Sequence, residues 1–339
     1  MSLPHSRLTA VHEDGLAPLG LAIGDMRGHA RISADAALVS LALDRTVGSL
    51  YPSRPGHPLL SLQTDDEVHW LSAYVPGTNV LETVGRAADA ELRVVDFLAV
   101  AEGRPGQTEA VPAGRFIRIV TCTEGEGSFQ LVCAARLAMA ANTEAEAADG
   151  WYLACSRPLA WGADQATVDV HLAAGESVAF MIGDAPITGG PALAAGALHA
   201  LGDTIHYWTW WSDRCRYKGD DFDTRLREAL ALKLSCSEAG FHADAPGVTG
   251  FARAPLGEVA RAAAAFLALG YRGECAALLA QVYDEGREGA SHGRWSFDEA
   301  FLRTLDAYVV RYGTLGLSDD LRRAAEAQDP VLQCTKCMA

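Results

Sequence analysis

The period of the hydrophobic pattern changes once along this chain of 339 residues. Over residues 19–182 apolar and polar positions alternate, as where Val168, Val170 and Leu172 are separated by single polar residues. Alternation with a period of two is typical of half-buried antiparallel strands. After His206 the apolar residues recur every three or four positions, which is the period of amphipathic helices. The sequence therefore predicts an α+β protein in which strands come first and helices follow.

The strand-rich half contains about ten short alternating runs with turn signals between them. Such a set is typical of an antiparallel β-sandwich, and no helical period interrupts it, so a parallel α/β sheet is not expected. One run, RFIRIVTC, is followed by EGEG at residues 124–127 and then by the alternating SFQLVCAARL. A glycine-containing loop between two such runs predicts a β-hairpin at this point.

Five or six helices with short connections are predicted after residue 186. Their signals are a tryptophan-rich run, a leucine stripe, a helix that begins at a proline, an alanine-rich repeat and an S-x-x-E capping box. In chain order they cover residues 197–215, 222–234, 255–270, 273–286 and 296–313, with a last helix from Ser318 to before Pro330. The second half is therefore predicted to be all-α.

Small residues at positions 186–196 indicate a domain boundary. The predicted organisation is a β-sandwich domain over residues 1–185, a linker helix over 186–218, a reduced helical domain over 219–330 and a tail over 331–339. In the linker helix, Trp208 and Trp211 lie three residues apart on one face. Two interpretations stay open: these rings pack the domains together, or Trp211 is a stacking platform for a sugar.

The net charge of −15 and the absence of any Lys/Arg run argue against nucleic acid and anionic membranes as partners. No segment stays apolar for the roughly 20 residues that a membrane helix needs. The first residues lack the apolar core of a secretory signal, so we expect a cytoplasmic protein. No cofactor is predicted. The partner that we expect is a small-molecule or carbohydrate-like ligand.

Cysteine usage fits an intracellular protein. Six of the eight cysteines are isolated in apolar or helical surroundings, where Cys behaves as a small core residue. Only Cys334 and Cys337 form a CxxC pair. This pair is interpreted either as half a metal site or a redox pair, or as two thiols on a terminal tail without a function.

Five segments, taken in order, resemble glycoside hydrolase family 15, the bacterial glucoamylases and trehalases with a trehalase-like N-terminal domain. They are LAIGDMR (residues 21–27), YVPGTNVLET (74–83), VVDFLAV (94–100), WTWWSDRCRYKGDDFDTRLREALALKL (208–234) and FLALGYRGECAALL (266–279). The resemblance implies a β-sandwich followed by an α/α toroid, with chemistry directed at sugars. The toroid must be truncated, because twelve helices cannot fit after residue 200.

Other parts of the chain depart from this family. The family's W-L-R-D segment, whose Arg and Asp hold the sugar, has no counterpart between Leu234 and Phe266, and Arg261 is the nearest basic residue in the helix there. The family's C-terminal catalytic base is also missing. Inverting hydrolysis needs two carboxylates about 6.5–9.5 Å apart, so ordinary glucoamylase chemistry is not the first expectation.

One trace of the family's general acid remains in YDEGREGASHGRWSFDEAF, residues 283–301. The resemblance implies that Glu288 is this acid, with Glu285 as the other choice. His292 and Trp295 flank these carboxylates and are candidate ligand-binding residues, together with Arg261.

Three functions follow as hypotheses. The first is acid/base chemistry without hydrolysis, such as cyclisation, isomerisation or elimination, on a small sugar-like or polycyclic metabolite. The second is a non-catalytic protein that binds a saccharide or another protein, and the third is a glucoamylase or trehalase-type hydrolase. A truncated toroid would leave helix faces bare, so we also expect a homodimer.

Overall fold

A computed structural model describes residues 21–44, 48–50, 52, 56–101, 111–135, 137–147, 150–162, 165–237, 240–244, 251–288 and 299–313. The capping serine predicted at Ser296, the helix predicted from Ser318 and the Cys334/Cys337 pair lie outside these residues. Contacts divide the chain into two compact units. The first unit is Met1–Ser212 with Gly247–Gly250, and the second is Asp213–Pro246 with Phe251–Ala339.

The first unit consists of fifteen described strands and one helix. The strands are β1 (Leu21–Gly24), β2 (His29–Ile32), β3 (Leu38–Asp44), β4 (Gly48–Leu50), β5 (Leu60–Gln63), β6 (His69–Tyr74), β7 (Leu81–Arg86), β8 (Ala90–Ala101), β9 (Val111–Cys133), β10 (Leu137–Ala141), β11 (Glu144–Ala147), β12 (Tyr152–Cys155), β13 (Ala160–Trp161), β14 (Ala166–Ala173) and β15 (Ser177–Gly183). The helix is α1 (Pro191–Ser212).

The long strand β9 connects all parts of this sheet. Its first part pairs with β8 and β15, and its last part, Glu126–Cys133, pairs with β14 and β5. The main path through the sheet runs β1-β2-β3-β5-β9-β15-β12-β11-β10, and every pairing between described strands of this sheet is antiparallel. The prediction that no parallel α/β sheet forms is confirmed for these strands.

The hairpin predicted at residues 124–127 is wrong, because both alternating runs belong to the single strand β9. Gly125 has φ +71°, and the pairing with β8 skips one residue of β9 between Glu124 and Cys122. A glycine with positive φ can produce a bulge and a bend as well as a turn. Here it redirects β9 from one set of partner strands to another.

One buried apolar cluster contains side chains from both parts of β9. Phe116 and Val120 come from before the bend and Leu131 from after it, and all three belong to one buried cluster with Ile23 of β1. A second buried cluster lies on the opposite face of β8, β9 and β15. It includes Phe97, Ile117, Ile119, Leu193, Ala197 and Leu201, of which the last three belong to α1.

Helix α1 therefore belongs with the sheet of the first unit. Its buried positions recur every three or four residues and end with Trp208 and Trp211. The hydroxyl of Thr204 accepts a hydrogen bond from the backbone N–H of Val100 on β8 (3.1 Å), and Ser212 Oγ donates to the carbonyl of Gly77 (2.6 Å). These polar contacts fix the position of the helix along the sheet.

A fully buried ion pair lies inside the first unit. Arg118 of β9 donates from Nε to Asp96 Oδ1 (2.7 Å) and from Nη2 to Oδ2 (2.8 Å), and the two residues are direct cross-strand partners. Asp96 belongs to the VVDF segment. The bidentate geometry compensates both charges in an interior where an isolated charge would be very costly.

The second unit contains four described helices: α2 (Phe222–Leu234), α3 (Leu256–Leu269), α4 (Arg272–Glu288) and α5 (Glu299–Tyr312). The predicted start of α3 after Pro255 and its end at Gly270 are confirmed. Gly270 adopts φ +89°, a left-handed conformation that favours glycine. The predicted stripe on α2 is also present, with Leu226, Leu230 and Leu234 buried.

The second half is not all-α, which corrects that prediction. Three short antiparallel strands, β16 (Cys236–Ser237), β17 (Gly240–Asp244) and β18 (Phe251–Arg253), form a small sheet between α2 and α3. Strands of two to five residues contain too few positions to display an alternating period. The coarser prediction of a mixed α and β protein with a large antiparallel sheet is confirmed.

Among the described residues, no helix has the length and apolar character needed to cross a membrane.

Substitution of Gly125 by alanine tests the bend in β9. A Cβ at this position would overlap the carbonyl oxygen of Asp89, and φ +71° is itself unfavourable for alanine. We expect Gly125→Ala to cost roughly 3 kcal/mol of unfolding free energy. Gly175→Ala is the matched control, because Gly175 has φ +89° but open space around it, and should cost only about 1 kcal/mol. Equal losses in thermal unfolding would contradict the role of the bend.

Substitution of Asp96 by asparagine tests the buried ion pair. Asn keeps the shape but leaves the charge of Arg118 uncompensated, so we expect a loss of about 3–5 kcal/mol. The control is Glu91→Gln, also on β8, which breaks the pair between Glu91 and the exposed Arg86 of β7 and should change stability little. Urea unfolding followed by tryptophan fluorescence measures both, because six of the seven tryptophans precede residue 213.

Candidate functional site

The two carboxylates that the sequence singled out lie at the C-terminal end of α4, three residues apart. Glu285 is part of a network: its Oε1 accepts a hydrogen bond from Gln281 Nε2 (2.9 Å) and lies 3.3 Å from Arg253 Nη1 of β18. Its side chain is 22% exposed. In its contacts with Gln281 and Arg253, the Glu285 carboxylate is the acceptor, which is the arrangement of a structural ion pair. Glu288 is the last residue of α4.

The same face of α4 also holds β17. Gln281 Oε1 accepts a hydrogen bond from the backbone N–H of Phe241 (2.8 Å). Gly240 approaches Gln281 closely, with φ +110°, and an added Cβ would lie 2.9 Å from Gln281 Nε2. Glu285 and Gln281 thus attach the small sheet to α4. No signal in the sequence pointed to Arg253. Its contact with Glu285 becomes apparent only because β18 lies beside α4.

Two of the four predicted ligand-binding residues, Trp211 in the first unit and Arg261 in the second, lie within the described structure. Trp211 is only 1% exposed and packs edge-to-face on Trp208 with ring centroids 6.2 Å apart, both within the first unit. Arg261 is exposed on α3. His292 and Trp295 lie outside the described residues, as do Cys334 and Cys337. Binding by any of these side chains stays a prediction.

Five of the six isolated cysteines are core residues as the sequence indicates, whereas Cys236 is only partly buried. Cys122, Cys133, Cys155, Cys215 and Cys275 are buried. Burial raises the pKa of the Cys133 thiol to about 12 and that of the Cys155 thiol to about 11. A thiol with so high a pKa is not a nucleophile at neutral pH. The part of the chain that is described contains no group of three or more His, Cys, Asp or Glu arranged to hold a metal ion.

A second charged cluster joins two of the segments that carry the family resemblance. Lys233, at the end of α2, lies 3.4 Å from Glu274 in the first turn of α4, and Arg214 lies 3.5 Å from the same carboxylate. Tyr271 is completely buried beside them, and burial, with the nearby Cys215 and Glu274, raises its pKa above the usual range. The Glu274 carboxylate is nearly buried, so this cluster links α4 to α2 and to the segment before α2.

The third unusual carboxyl group is Asp25, in the turn after β1. It is completely buried, and its Oδ1 accepts hydrogen bonds from the backbone N–H groups of Gly28 (2.7 Å) and Arg27 (3.1 Å). Burial raises its pKa to about 7 in spite of these bonds and of the charge on Arg27. The turn is visible in the sequence as Asp-Met-Arg-Gly, but its burial is not.

No family model and no curated protein matches this sequence. Several solved structures, including the following two, resemble the chain at a distance. One is named a kojibiose phosphorylase from the human microbiome, with a TM-score of 0.41 and 8% identity over 84% of this chain and 48% of that one. The other is a family GH92 alpha-mannosidase from Bacteroides thetaiotaomicron, with a TM-score of 0.31 and 10% identity over 94% of this chain and 56% of that one.

This chain therefore spans about half the length of each of these two proteins. Both distant structural neighbours are carbohydrate-active enzymes by name. Since both TM-scores lie below 0.5, neither likeness decides the fold or the function.

Proposed function

We propose that this protein is a reduced relative of glycoside hydrolase family 15 that performs acid/base chemistry without hydrolysis on a small sugar-like or polycyclic metabolite. The finer fold belongs to the same proposal: a trehalase-type β-sandwich over residues 1–185, a linker helix over 186–218 and a truncated α/α toroid over 219–330. Glu288 is the acid, and the ligand is bound by Trp295, His292 and Arg261.

The observation that carries the chemistry is the ion pair of Glu285 at the end of α4. Glu285 is engaged by Arg253 and Gln281, which leaves Glu288 as the acid of the pair. Inverting hydrolysis needs two carboxyl groups, one to protonate the leaving oxygen and one to activate water. An isomerisation or elimination can use one group, which donates a proton at one atom and accepts a proton at another. A single acid therefore favours the non-hydrolytic reactions.

The contact between Lys233 and Glu274 supports the family resemblance. These residues belong to two of the resembling segments, are 41 positions apart in the sequence, and meet at 3.4 Å inside one unit. The contact supports a shared scaffold, whereas the chemistry rests on the carboxylates.

Substitution of the two glutamates separates the roles that we assign to them. Glu288→Gln cannot donate a proton, so we expect turnover to fall by about 10²–10⁴-fold. Glu285→Gln keeps the shape of a side chain outside the reaction and should leave turnover within about tenfold. Mass spectrometry of products from a panel of glycosides and cyclic polyols measures both. Unchanged turnover by Glu288→Gln would remove this residue from the mechanism, and free hexose as the product would favour a hydrolase.

The second candidate is a protein that binds a saccharide or a protein partner without catalysis. The specific observation in its favour is that one of the two candidate acids, Glu285, is already committed to an ion pair. The missing W-L-R-D segment removes the sugar-holding Arg and Asp as well. Saccharide binding in a calorimeter by a protein without turnover on the same panel would support this candidate.

Homodimer formation through a bare helix face is a further expectation. Val310 on α5 is 81% exposed, more than the other exposed large apolar side chains of the described residues. We expect a dimer by sedimentation at micromolar concentration, and a shift to monomer for Val310→Glu. Val39→Glu, on β3 of the first unit, is the control and should leave the mass unchanged, because Val39 is exposed but distant in the sequence from the helical unit. A wild-type monomer would contradict the expectation.

A further inference from the structure

The turn between β1 and β2 contains a carboxyl group, that of Asp25, with hydrogen bonds to only one of its two oxygens. Asp25 is 0% exposed, and both of its described hydrogen bonds go to Oδ1. Its Oδ2 is buried and has no hydrogen-bond partner among the described residues. Burying a protonated carboxyl group costs little free energy, whereas burying a charged carboxylate oxygen away from water and donors is strongly disfavoured.

This turn is attached to other parts of the first unit on three sides. Tyr207 of α1 donates a hydrogen bond from its hydroxyl to Met26 Sδ (3.4 Å). Arg27 Nη2 lies 3.3 Å from Asp184 Oδ2, directly after β15. Gly28 packs against the backbone of β3, where an added Cβ would lie 2.7 Å from the Cα of Leu43.

The backbone of the turn is also unusual. Met26 has φ +70°, one of two positive values for residues other than glycine in the described part of the chain. The hydrogen bonds to Asp25 Oδ1 and the contacts on the three sides hold this conformation in place. Loss of those contacts would let the turn relax and would expose Oδ2 to water.

We propose that the turn from Asp25 to Gly28 is a proton-linked latch, which holds the β1–β2 hairpin closed against α1, β3 and the end of β15 while Asp25 carries a proton and opens when the proton leaves. The proton goes to solvent, and the opened turn hydrates the carboxylate. The Tyr207–Met26 and Arg27–Asp184 contacts are released in the same step. This inference does not depend on the proposed function.

Among the described residues, titratable groups lie on several of the elements packed against the latch. Arg27 is on the turn itself and is paired with Asp184 from beyond β15. Tyr207 comes from α1 and His29 from β2, and Gly28 meets β3 through backbone atoms. On the neighbouring β8, Asp96 is paired with Arg118.

The direction of the pH effect follows from the burial of Asp25. Its pKa rises from an ordinary value of 3.8 to about 7 in the closed turn. The closed state therefore binds the proton more tightly than the open state. The free energy that protonation of Asp25 adds to the closed state is fully present below pH 3.8 and is lost as the pH rises through about 7. Each unit of difference between the two pKa values corresponds to a factor of ten in the opening equilibrium.

Hydrogen exchange of the full-length protein tests the latch. The backbone N–H groups of Arg27 and Gly28 are bonded to Asp25, so their exchange reports opening. After correction for intrinsic exchange, we expect opening to increase at least tenfold between pH 5 and pH 7. In Asp25→Asn, which cannot ionise, the change should be less than twofold. Asp169→Asn, at an exposed aspartate on β14 that binds Gln130, should retain the wild-type pH dependence.

Opening that is independent of pH in the wild type, or a pH dependence that persists in Asp25→Asn, would overturn the proposal. If Asp25→Asn does not fold, carboxyl-carbon NMR of the wild type decides the matter. A titration midpoint of Asp25 near 7, in step with the exchange rates, supports the latch, and a midpoint below 5 overturns it.

Discussion

The first unit depends on the continuity of β9. This strand of 23 residues pairs with β5, β8, β14 and β15, so the other strands are connected to one another through it. The bend at Gly125 lets both parts of the strand place side chains in one core. A turn at the same position would have produced a local hairpin and left the two sets of strands without a common member. One glycine conformation therefore determines how the sheet is joined.

The segments that resemble the hydrolase family supply much of the buried polar structure. Asp25, Asp96 and Glu274 belong to three of these segments, and each is buried. Asp96 is neutralised by Arg118, and Glu274 by Lys233 and Arg214. Buried polar groups tolerate few substitutions because an unpaired partner is costly. The presence of these segments is therefore explained by folding, and it does not require the chemistry of the hydrolase family that they resemble.

The helices could be predicted from the sequence because their signals are local. The stripe on α2 repeats over 13 residues, and Pro255 and Gly270 mark both ends of α3. The small sheet of β16–β18 could not be predicted, since strands of two to five residues have no measurable period. The bend in β9 could not be predicted for another reason: a glycine with positive φ fits a turn and a bulge equally well, and only the partner strands decide between them.

The candidate acids were visible in the sequence, but their environments were not. Glu285 meets Arg253, a residue 32 positions earlier that no motif connects with it, and this contact joins α4 to β18. Asp25 shows the opposite situation, because its second oxygen meets no donor and burial favours its neutral form. A paired carboxylate holds elements together, whereas an unsatisfied one holds a proton. Which of these a carboxyl group does depends on contacts across the fold, and these decide its chemistry.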